Sequence, residues 1–135
     1  GGFGLEVRDG ATLTMQGCVV SDHKESGLLV LSGARVVIDR TEIARNGSNG
    51  VLLVDSWCNA EEVSFLMNGE DGLLADEQSI ATLDACRFED NLGHGVWGEG
   101  DGVIQLKDCT FNRNGQGPGR WQNPRTKVRT SCAST

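Results

Sequence analysis

Five acidic side chains and one histidine are the residues whose types and spacing could support chemistry on a bound ligand. They are Asp55, Asp76, Glu77, Glu99, Asp101 and His94. Carboxylates that recur along a chain can bind Ca²⁺, or can act as acid and base on a glycosidic bond when their pKa values differ. Which of these chemistries is open depends on the elements that carry the side chains.

Those elements come from a repeat. Gly4, Gly27, Gly50, Gly72 and Gly95 are spaced 23, 23, 22 and 23 residues apart, and each opens a short apolar run. Gly119 continues the series weakly, at a spacing of 24. A fixed period of this length is typical of stacked repeat architectures. The glycine itself predicts either a positive φ angle or a close approach of two backbones.

Apolar residues alternate with polar ones inside each repeat, as in Ala81-x-Leu83 and Cys86-x-Phe88. This period of two predicts strands, and no segment keeps a helical stripe. A unit of about 23 residues cannot bury its own apolar side chains, whereas stacked units pair equivalent strands and place like residue on like residue. The sequence therefore predicts an all-β parallel solenoid, with five clear coils over residues 1–117 and a degenerate sixth coil and basic tail over 118–135.

One polar column accompanies the repeat. It consists of His23, Asn46, Asn68, Asn91 and Asn114. These residues fall where the chain turns from the third strand of one coil to the first strand of the next. An inward amide there can bond backbone groups that a bend leaves unpaired, so the column predicts a structural ladder.

The segments CRFEDNLGHGV at 86–96, TEIARNGSNGV at 41–51 and CTFNRNGQG at 109–117 resemble the right-handed parallel β-helix repeats of the pectin-lyase-like superfamily. The resemblance covers roughly residues 4–117 and implies the right-handed β-helix fold. It does not imply one function, because similar proteins include polysaccharide lyases, hydrolases, epimerases, phage tailspikes and non-enzymatic modules. Intracellular proteins that resemble it, such as the F-box-associated β-helix family, use this fold for protein recognition.

The outward face of the first strand is unusually apolar. Since Leu28 and Val30 and their equivalents fill the inward positions, the strand period turns alternate residues outward. The outward residues are Leu29, Leu52, Leu74, Trp97 and, at the weak repeat, Trp121. Such a face predicts an interaction surface. Three occupants stay open: a protein partner, another part of a longer chain, or a sugar stacked on the tryptophans.

The acids lie beside this face, and the nearest basic residue on the same strip, Arg8, is about three coils away. We interpret them as a solvated acidic rim with no catalytic residue assigned. A carbohydrate or calcium site at Asp55, Asp76, Glu99, Asp101 and His94 is the alternative.

Gly93-His94-Gly95 resembles a polygalacturonase motif, but the accompanying Asn-Thr-Asp, Asp-Asp and Arg-Ile-Lys motifs are absent. His94 is therefore expected to be an exposed turn residue.

Four of the five cysteines, Cys18, Cys58, Cys86 and Cys109, fall in inward columns, and Cys132 lies in the tail. Side chains that point in parallel down a stack have poor torsions for a disulfide, so we expect free thiols that pack as small apolar residues. The spacing predicts no zinc site, and no metal or cofactor is implied. Unpaired thiols favour a reducing compartment.

The chain carries 19 acidic and 12 basic residues, for a net charge of -7. This charge argues against a nucleic-acid binder, and no apolar stretch is long enough to span a bilayer. The chain opens almost on a repeat glycine without a cap, which predicts a piece of a larger protein or a subunit capped by a partner. The favoured interpretation is a non-enzymatic binding or scaffold module, and the alternative is a fragment of a carbohydrate-active enzyme.

Overall fold

The computed structural model describes residues 2–76, 78–99 and 101–117 with their side chains, and the strand backbone of 119–121, 127–129 and 133–134. The described residues form strands and turns. Among them there is no helix long and apolar enough to cross a membrane. Three strands follow one another in each coil, and each pairs in parallel with its equivalent on the next coil. The prediction of an all-β parallel solenoid is confirmed.

Each of the three sheets has six strands. The first sheet contains β1 (Leu5–Val7), β4 (Leu28–Leu31), β7 (Val51–Val54), β10 (Leu73–Asp76), β13 (Val96–Gly98) and β16 (Gly119–Trp121). The second contains β2 (Thr12–Gln16), β5 (Arg35–Asp39), β8 (Trp57–Glu61), β11 (Ile80–Asp84), β14 (Val103–Lys107) and β17 (Lys127–Arg129). The third contains β3 (Val19–Ser21), β6 (Glu42–Ala44), β9 (Ser64–Leu66), β12 (Arg87–Glu89), β15 (Thr110–Asn112) and β18 (Ala133–Ser134).

The core is built of columns of like residues. Phe65 and Phe88 stack with ring centroids 4.6 Å apart, and Phe88 and Phe111 with centroids 4.9 Å apart. Leu83 lies in register with Leu106 on the adjacent coil, and both are buried. Burial of each such side chain contributes about 1.5–3 kcal/mol, which a single coil could not achieve because its inward face would stay in water.

The repeat glycines are required by close approach and not by a positive φ angle. Gly27, Gly50 and Gly72 are absent from the positions with left-handed backbone. A Cβ added at Gly50 would lie 2.5 Å from the carbonyl oxygen of Gly72, and one at Gly72 would lie 2.7 Å from that of Gly95. Of the two roles expected for this glycine, the structure therefore selects the second.

Left-handed backbone occurs instead at the corners, mostly at residues other than glycine. Before the cysteine-containing column stand Arg40, Glu62, Ala85 and Asp108, with φ between 47° and 55°. Before the asparagine column stand Asp22, Arg45, Met67, Asp90 and Arg113, with φ between 54° and 64°. The first coil has Gly17, with φ 64°, before Cys18, but the residues named above are not glycine, and these left-handed corners were not predicted.

The cysteines occupy the inward columns expected of them, and Cys18, Cys58, Cys86 and Cys109 are free thiols. Cys86 and Cys109 also donate S–H bonds to the carbonyl oxygens two residues earlier in the chain, as Thr41 does with its hydroxyl. These bonds hold the left-handed corner that precedes the column. Burial raises the pKa of the Cys58 thiol to about 12. Cys132 lies outside the described residues.

The sixth coil is represented by β16, β17 and β18, which pair with β13, β14 and β15. The division of the chain at residue 117 stays a prediction, because residues 118, 122–126, 130–132 and 135 lie outside the described part of the chain.

Candidate functional site

The outward column of the first sheet is continuous over four coils. Leu29 lies in register with Leu52, Leu52 with Leu74, and Leu74 with Trp97. We call these four residues the apolar strip. All four are partly exposed, whereas Leu28, Leu53 and Leu73 on the opposite side of the same strands are fully buried. The alternation therefore turns the strip toward solvent.

The side chains of the strip are less exposed than several other apolar side chains of the described residues. The most exposed large apolar residues lie elsewhere, at Leu5, Val19, Met67, Ile80 and Leu92. Stacked strands are about 4.8 Å apart, so each strip residue is covered on both flanks by its neighbours on the adjacent coils. The four side chains are therefore only partly exposed.

Trp121 does not extend this column. Trp97 lies in register with Arg120, and Trp121 is opposite Gly98. The pairing keeps a spacing of 23 residues from Val96 to Gly119, whereas Gly119 follows Gly95 by 24, so the alignment of repeat glycines slips by one residue. A slip of one residue moves a strand position to the other face of the sheet. The side chain of Trp121 lies outside the described part of the structure.

At its starting end the strip meets charge. Glu6 lies in register with Leu29, and its carboxylate pairs with the guanidinium of Arg8. This ion pair is exposed to solvent, and pairs of that kind contribute little to stability. The apolar surface therefore ends at the first coil.

The expected acids do not form one stack. Asp76 lies in register with Val54, so Asp55 is one position further along its own strand end. Glu99 follows Gly98 and donates its backbone N–H to the carbonyl of Ala75, which places Glu99 and Asp76 at adjacent coils. Glu77 lies outside the described residues. No group of three or more potential metal-ligating side chains is found among the residues that the structure describes.

The asparagine column forms a hydrogen-bonded ladder. The Nδ2 atoms of Asn46, Asn68 and Asn91 each donate to the Oδ1 atom of the next asparagine, at 3.0, 2.9 and 2.8 Å. Each Nδ2 also donates to a backbone carbonyl on the preceding coil, as Asn68 does to Ile43. His23 joins the column through its backbone N–H, which donates to Oδ1 of Asn46.

A second polar column precedes the repeat glycine, and sequence reasoning missed it. Ser26, Asn49, Asp71 and His94 occupy equivalent positions and are all buried. Oδ1 of Asn49 accepts the backbone N–H of Asp71 at 3.0 Å, and Oδ1 of Asp71 accepts that of His94 at 2.7 Å. A polar residue directly before Gly27, Gly50, Gly72 and Gly95 was the available signal.

His94 is buried, which corrects the expectation of an exposed turn residue. Its exposed fraction is 3%, because its ring packs edge-to-face with Trp97 at a centroid distance of 4.6 Å and Nδ1 lies 3.4 Å from Oδ1 of Asp71 on the preceding coil. Gly93 is explained by the same packing, since a Cβ there would lie 2.5 Å from Oδ1 of Asp71. His94 therefore stands apart from the acids of the first-sheet edge and joins Asp71 instead.

Asp71, His94 and Trp97 line a pocket of about 420 Å³ at the turn from the third to the first sheet. The remaining lining residues are Gly69, Glu70, Leu92, Gly93 and Gln116. Burial raises the pKa of the Asp71 carboxyl, and hydrogen bonding and charge at His94 oppose the rise. Nδ1 of His94 is buried 3.4 Å from Oδ1 of Asp71, within ion-pair distance but outside good hydrogen-bond geometry.

Comparison with known proteins agrees with this architecture. A family model described as "Right handed beta helix region" matches residues 1–133. The solved structure of the periplasmic alginate epimerase AlgG superposes with a TM-score of 0.76 and 16% sequence identity, over 97% of this chain and 40% of that one. At that identity the likeness shows the fold alone, and this chain spans less than half the length of the epimerase. No curated protein matches the sequence.

Proposed function

We propose that this chain, which belongs to the right-handed β-helix family, is a binding module that docks a protein partner on the apolar strip. The observation that carries the proposal is the in-register column of Leu29, Leu52, Leu74 and Trp97. Its residues are held by parallel strands on both sides, so they are ordered before a partner arrives. Association then costs little conformational entropy.

The charge beside the strip supports a partner with a basic surface. Asp76 and Glu99 lie at adjacent coils along the strip, Asp55 lies at the end of β7, and the whole chain has a net charge of -7. A complementary surface has an apolar row flanked by Lys or Arg. The apolar row provides most of the affinity, and the flanking charges increase the association rate at low salt.

Selection of peptides from a random display library tests this proposal. Wild-type protein is expected to enrich sequences that combine apolar residues with Lys or Arg. Leu52→Asp places a charge in the middle of the strip and should weaken the selected peptides by a factor of 10 or more, which corresponds to about 1.4 kcal/mol.

Val19→Asp is the matched control, because Val19 is 64% exposed on β3 of the third sheet. It introduces the same charge away from the strip and should leave peptide affinity unchanged. Circular dichroism of both variants should match that of the wild type. Equal affinity of Leu52→Asp and wild-type protein for the selected peptides would show that the strip is not the interface.

Binding or processing of carbohydrate is the second candidate. The likeness to an alginate epimerase and the adjacent positions of Asp76 and Glu99 favour it. In this case the residues involved are Asp55, Asp76, Glu99 and Asp101. Calorimetric titration with Ca²⁺ and with a panel of oligouronates tests it: micromolar Ca²⁺ binding that is lost in Asp76→Asn and Asp101→Asn would favour this function over partner docking.

A further inference from the structure

The outer face of the first sheet has a second column beside the apolar strip. Leu31 lies in register with Val54, and Val54 with Asp76, and all three are partly exposed. Glu99 continues this column on the fifth coil, where its backbone N–H donates to the carbonyl of Ala75 on the fourth. The two columns are two residues apart on each strand, which corresponds to a distance of about 6.6 Å.

The second column changes from apolar to acidic along the solenoid axis. On the second and third coils it contains Leu31 and Val54, which widen the apolar surface. On the fourth and fifth coils it contains Asp76 and Glu99, which lie beside the last two residues of the strip. A complementary element is therefore apolar along one line and has basic residues beside that line over only one half of its length.

The length of the strands determines the direction of that element. β4, β7 and β10 have four residues each, so each strand is only about 13 Å long and turns two positions outward. An element aligned with the strands would pass beyond the sheet within that distance. An element that lies along the solenoid axis contacts all four residues of the strip.

The spacing of the strip distinguishes a helix from an extended segment. Adjacent coils are about 4.8 Å apart, so the four strip residues span about 14 Å. A helix with apolar residues at successive intervals of three, four and three positions spans about 15 Å, because it rises about 1.5 Å per residue. An extended segment turns every second side chain to one face, and four such side chains span about 20 Å. The helix matches the spacing of the coils, and the extended segment does not.

We propose that the element bound on the apolar strip is an amphipathic α-helix of the partner that runs along the solenoid axis. The inference rests on the proposed docking function and names the part of the partner that the strip recognises. The apolar residues of the helix recur at intervals of three, four and three positions and contact one coil each. Lys or Arg on one flank of the helix faces Asp76 and Glu99.

A second copy of this chain fits the same face less well. Two strips that pack together would also bring their acidic columns together, and each chain has a net charge of -7. Like charges that meet across an interface disfavour association. Light scattering is therefore expected to show a monomer. A wild-type dimer that Leu52→Asp dissociates would identify a second copy as the occupant and overturn the inference.

Two peptide display libraries of the same composition test the inference. In one, the apolar residues recur at intervals of three, four and three positions, and in the other they occupy every second position. The best peptides of the first library are expected to bind wild-type protein at least about tenfold more tightly than those of the second. They should also gain a helical circular dichroism signal on binding, which is easily detected because the described residues of the protein are strands and turns.

Leu52→Asp separates failure of this inference from failure of the docking function. If the tightest peptides come from the second library and lose affinity for Leu52→Asp, the docking function stands and the helix is wrong. If peptides of both libraries bind Leu52→Asp and wild-type protein equally, the strip is not the interface and both proposals fail. A proline in the middle of a helical peptide should abolish its binding, because it breaks the helix.

Asp76→Asn tests the charged flank of the helix. This variant is expected to weaken the Lys-containing helical peptides by about threefold, as for other exposed charge pairs. Asp84→Asn is the matched control, because it removes the same charge from β11 of the second sheet and should leave the affinity unchanged. Equal losses in both variants would show that the attraction is general to this acidic protein, and would overturn the placement of the helix beside the acidic column.

Discussion

Asn68 connects three coils through one amide group. Its Nδ2 donates to the carbonyl of Ile43 on the coil before and to Oδ1 of Asn91 on the coil after, and its Oδ1 accepts two bonds from Asn46. The side chain is fully buried, so none of these groups could exchange to water if its partner were lost. A polar side chain thus stabilises the core here because every donor and acceptor is paired.

Asn68→Ala is expected to lower the free energy of unfolding by about 3 kcal/mol, because it removes the acceptor of the buried backbone N–H of Asn46 and the side-chain bonds to Ile43 and Asn91. Asn114→Ala, at the partly exposed end of the ladder, should cost less, since water can replace some of the lost bonds. Urea denaturation followed by circular dichroism measures both. Equal losses would contradict the role of burial.

Asp71, unlike Asn68, is costly to bury in its charged form, and burial raises the pKa of its carboxyl above the ordinary value of 3.8. Above the raised folded pKa the carboxylate is charged in both the folded and the unfolded chain, and the folded state carries the cost of desolvation. As the pH falls through the raised folded pKa, the folded state takes up a proton before the unfolded state does. The contribution of Asp71 to the free energy of unfolding therefore becomes more favourable as the pH falls.

Asp71→Asn is thus expected to raise Tm at pH 7, with an advantage over the wild type that shrinks as the pH approaches 4. Asp90→Asn should do the reverse: the hydrogen bond from Arg113 holds the pKa of Asp90 below its usual range, so its contribution is present at pH 7 and is lost on acidification. Because Asp90 is exposed, its effect should be small. Thermal melts of both variants from pH 4 to 7 check the two signs.

Each coil turns at corners whose residues have left-handed backbone conformation, and glycine allows it to pack closely against the next coil. These two devices use different physics. At Gly50 the obstacle is a neighbouring carbonyl oxygen, 2.5 Å from where a Cβ would stand, whereas at Gly33 the space is open and φ is +77°. At Ala85, φ is +55° although the residue has a Cβ, and the corner is held by the S–H bond of Cys86.

Gly50→Ala and Gly33→Ala separate the two devices. The first must displace the backbone of the next coil and is expected to cost about 3 kcal/mol or more. The second meets no atom and should cost only the left-handed penalty of about 1–2 kcal/mol. Chemical denaturation gives both values. A larger loss at Gly33 than at Gly50 would show that backbone conformation, and not coil contact, is the stronger constraint.

Ala85→Gly tests whether the left-handed corner at Ala85 is strained. Glycine adopts positive φ without the Cβ clash but loses more entropy on folding, so the net effect is expected to be a gain of about 0.5 kcal/mol. Ala85 is exposed, so no core packing is lost. A clear destabilisation in the same denaturation experiment would indicate that the corner is not strained.

At the scale of the whole molecule, the solenoid is a linear array in which each coil pairs only with its two neighbours. Stability is then a sum over interfaces between coils, and a terminal coil has one interface where a central coil has two. The first coil shows this difference, since Leu5 is 39% exposed whereas its counterparts Leu28, Val51 and Leu73 are fully buried.

Hydrogen exchange should reveal the same gradient. In this 135-residue chain the amides of β8 and β11, which are paired on both sides, are expected to exchange more slowly than those of β1, which is paired on one side. Mass spectrometry of peptides from the exchanged protein measures the order. Uniform protection from β1 to β11 would mean that the coils unfold as a single cooperative unit.

The sequence alone determined the coil length, the strand pairing of coils 1–5 and the inward side chains. These follow from local signals: the 23-residue spacing places like residues together, and the period of two decides the face. Leu83 over Leu106 and Phe88 between Phe65 and Phe111 needed no further information. The asparagine column was equally visible, since a turn with an inward amide repeats at the same spacing.

Only the tertiary structure decided how the turns pack and where the weak repeat falls. His94 was expected in solvent and is buried, because Trp97 and a residue 23 positions earlier, Asp71, enclose it. The glycine spacing placed Trp121 one residue out of register. Gly119 follows Gly95 by 24 residues, whereas the strands of the weak repeat pair at a spacing of 23. The corners at Ala85 and Met67 adopt a conformation that their residue types disfavour. In each case the deciding contacts join neighbouring coils, and a local pattern does not contain them.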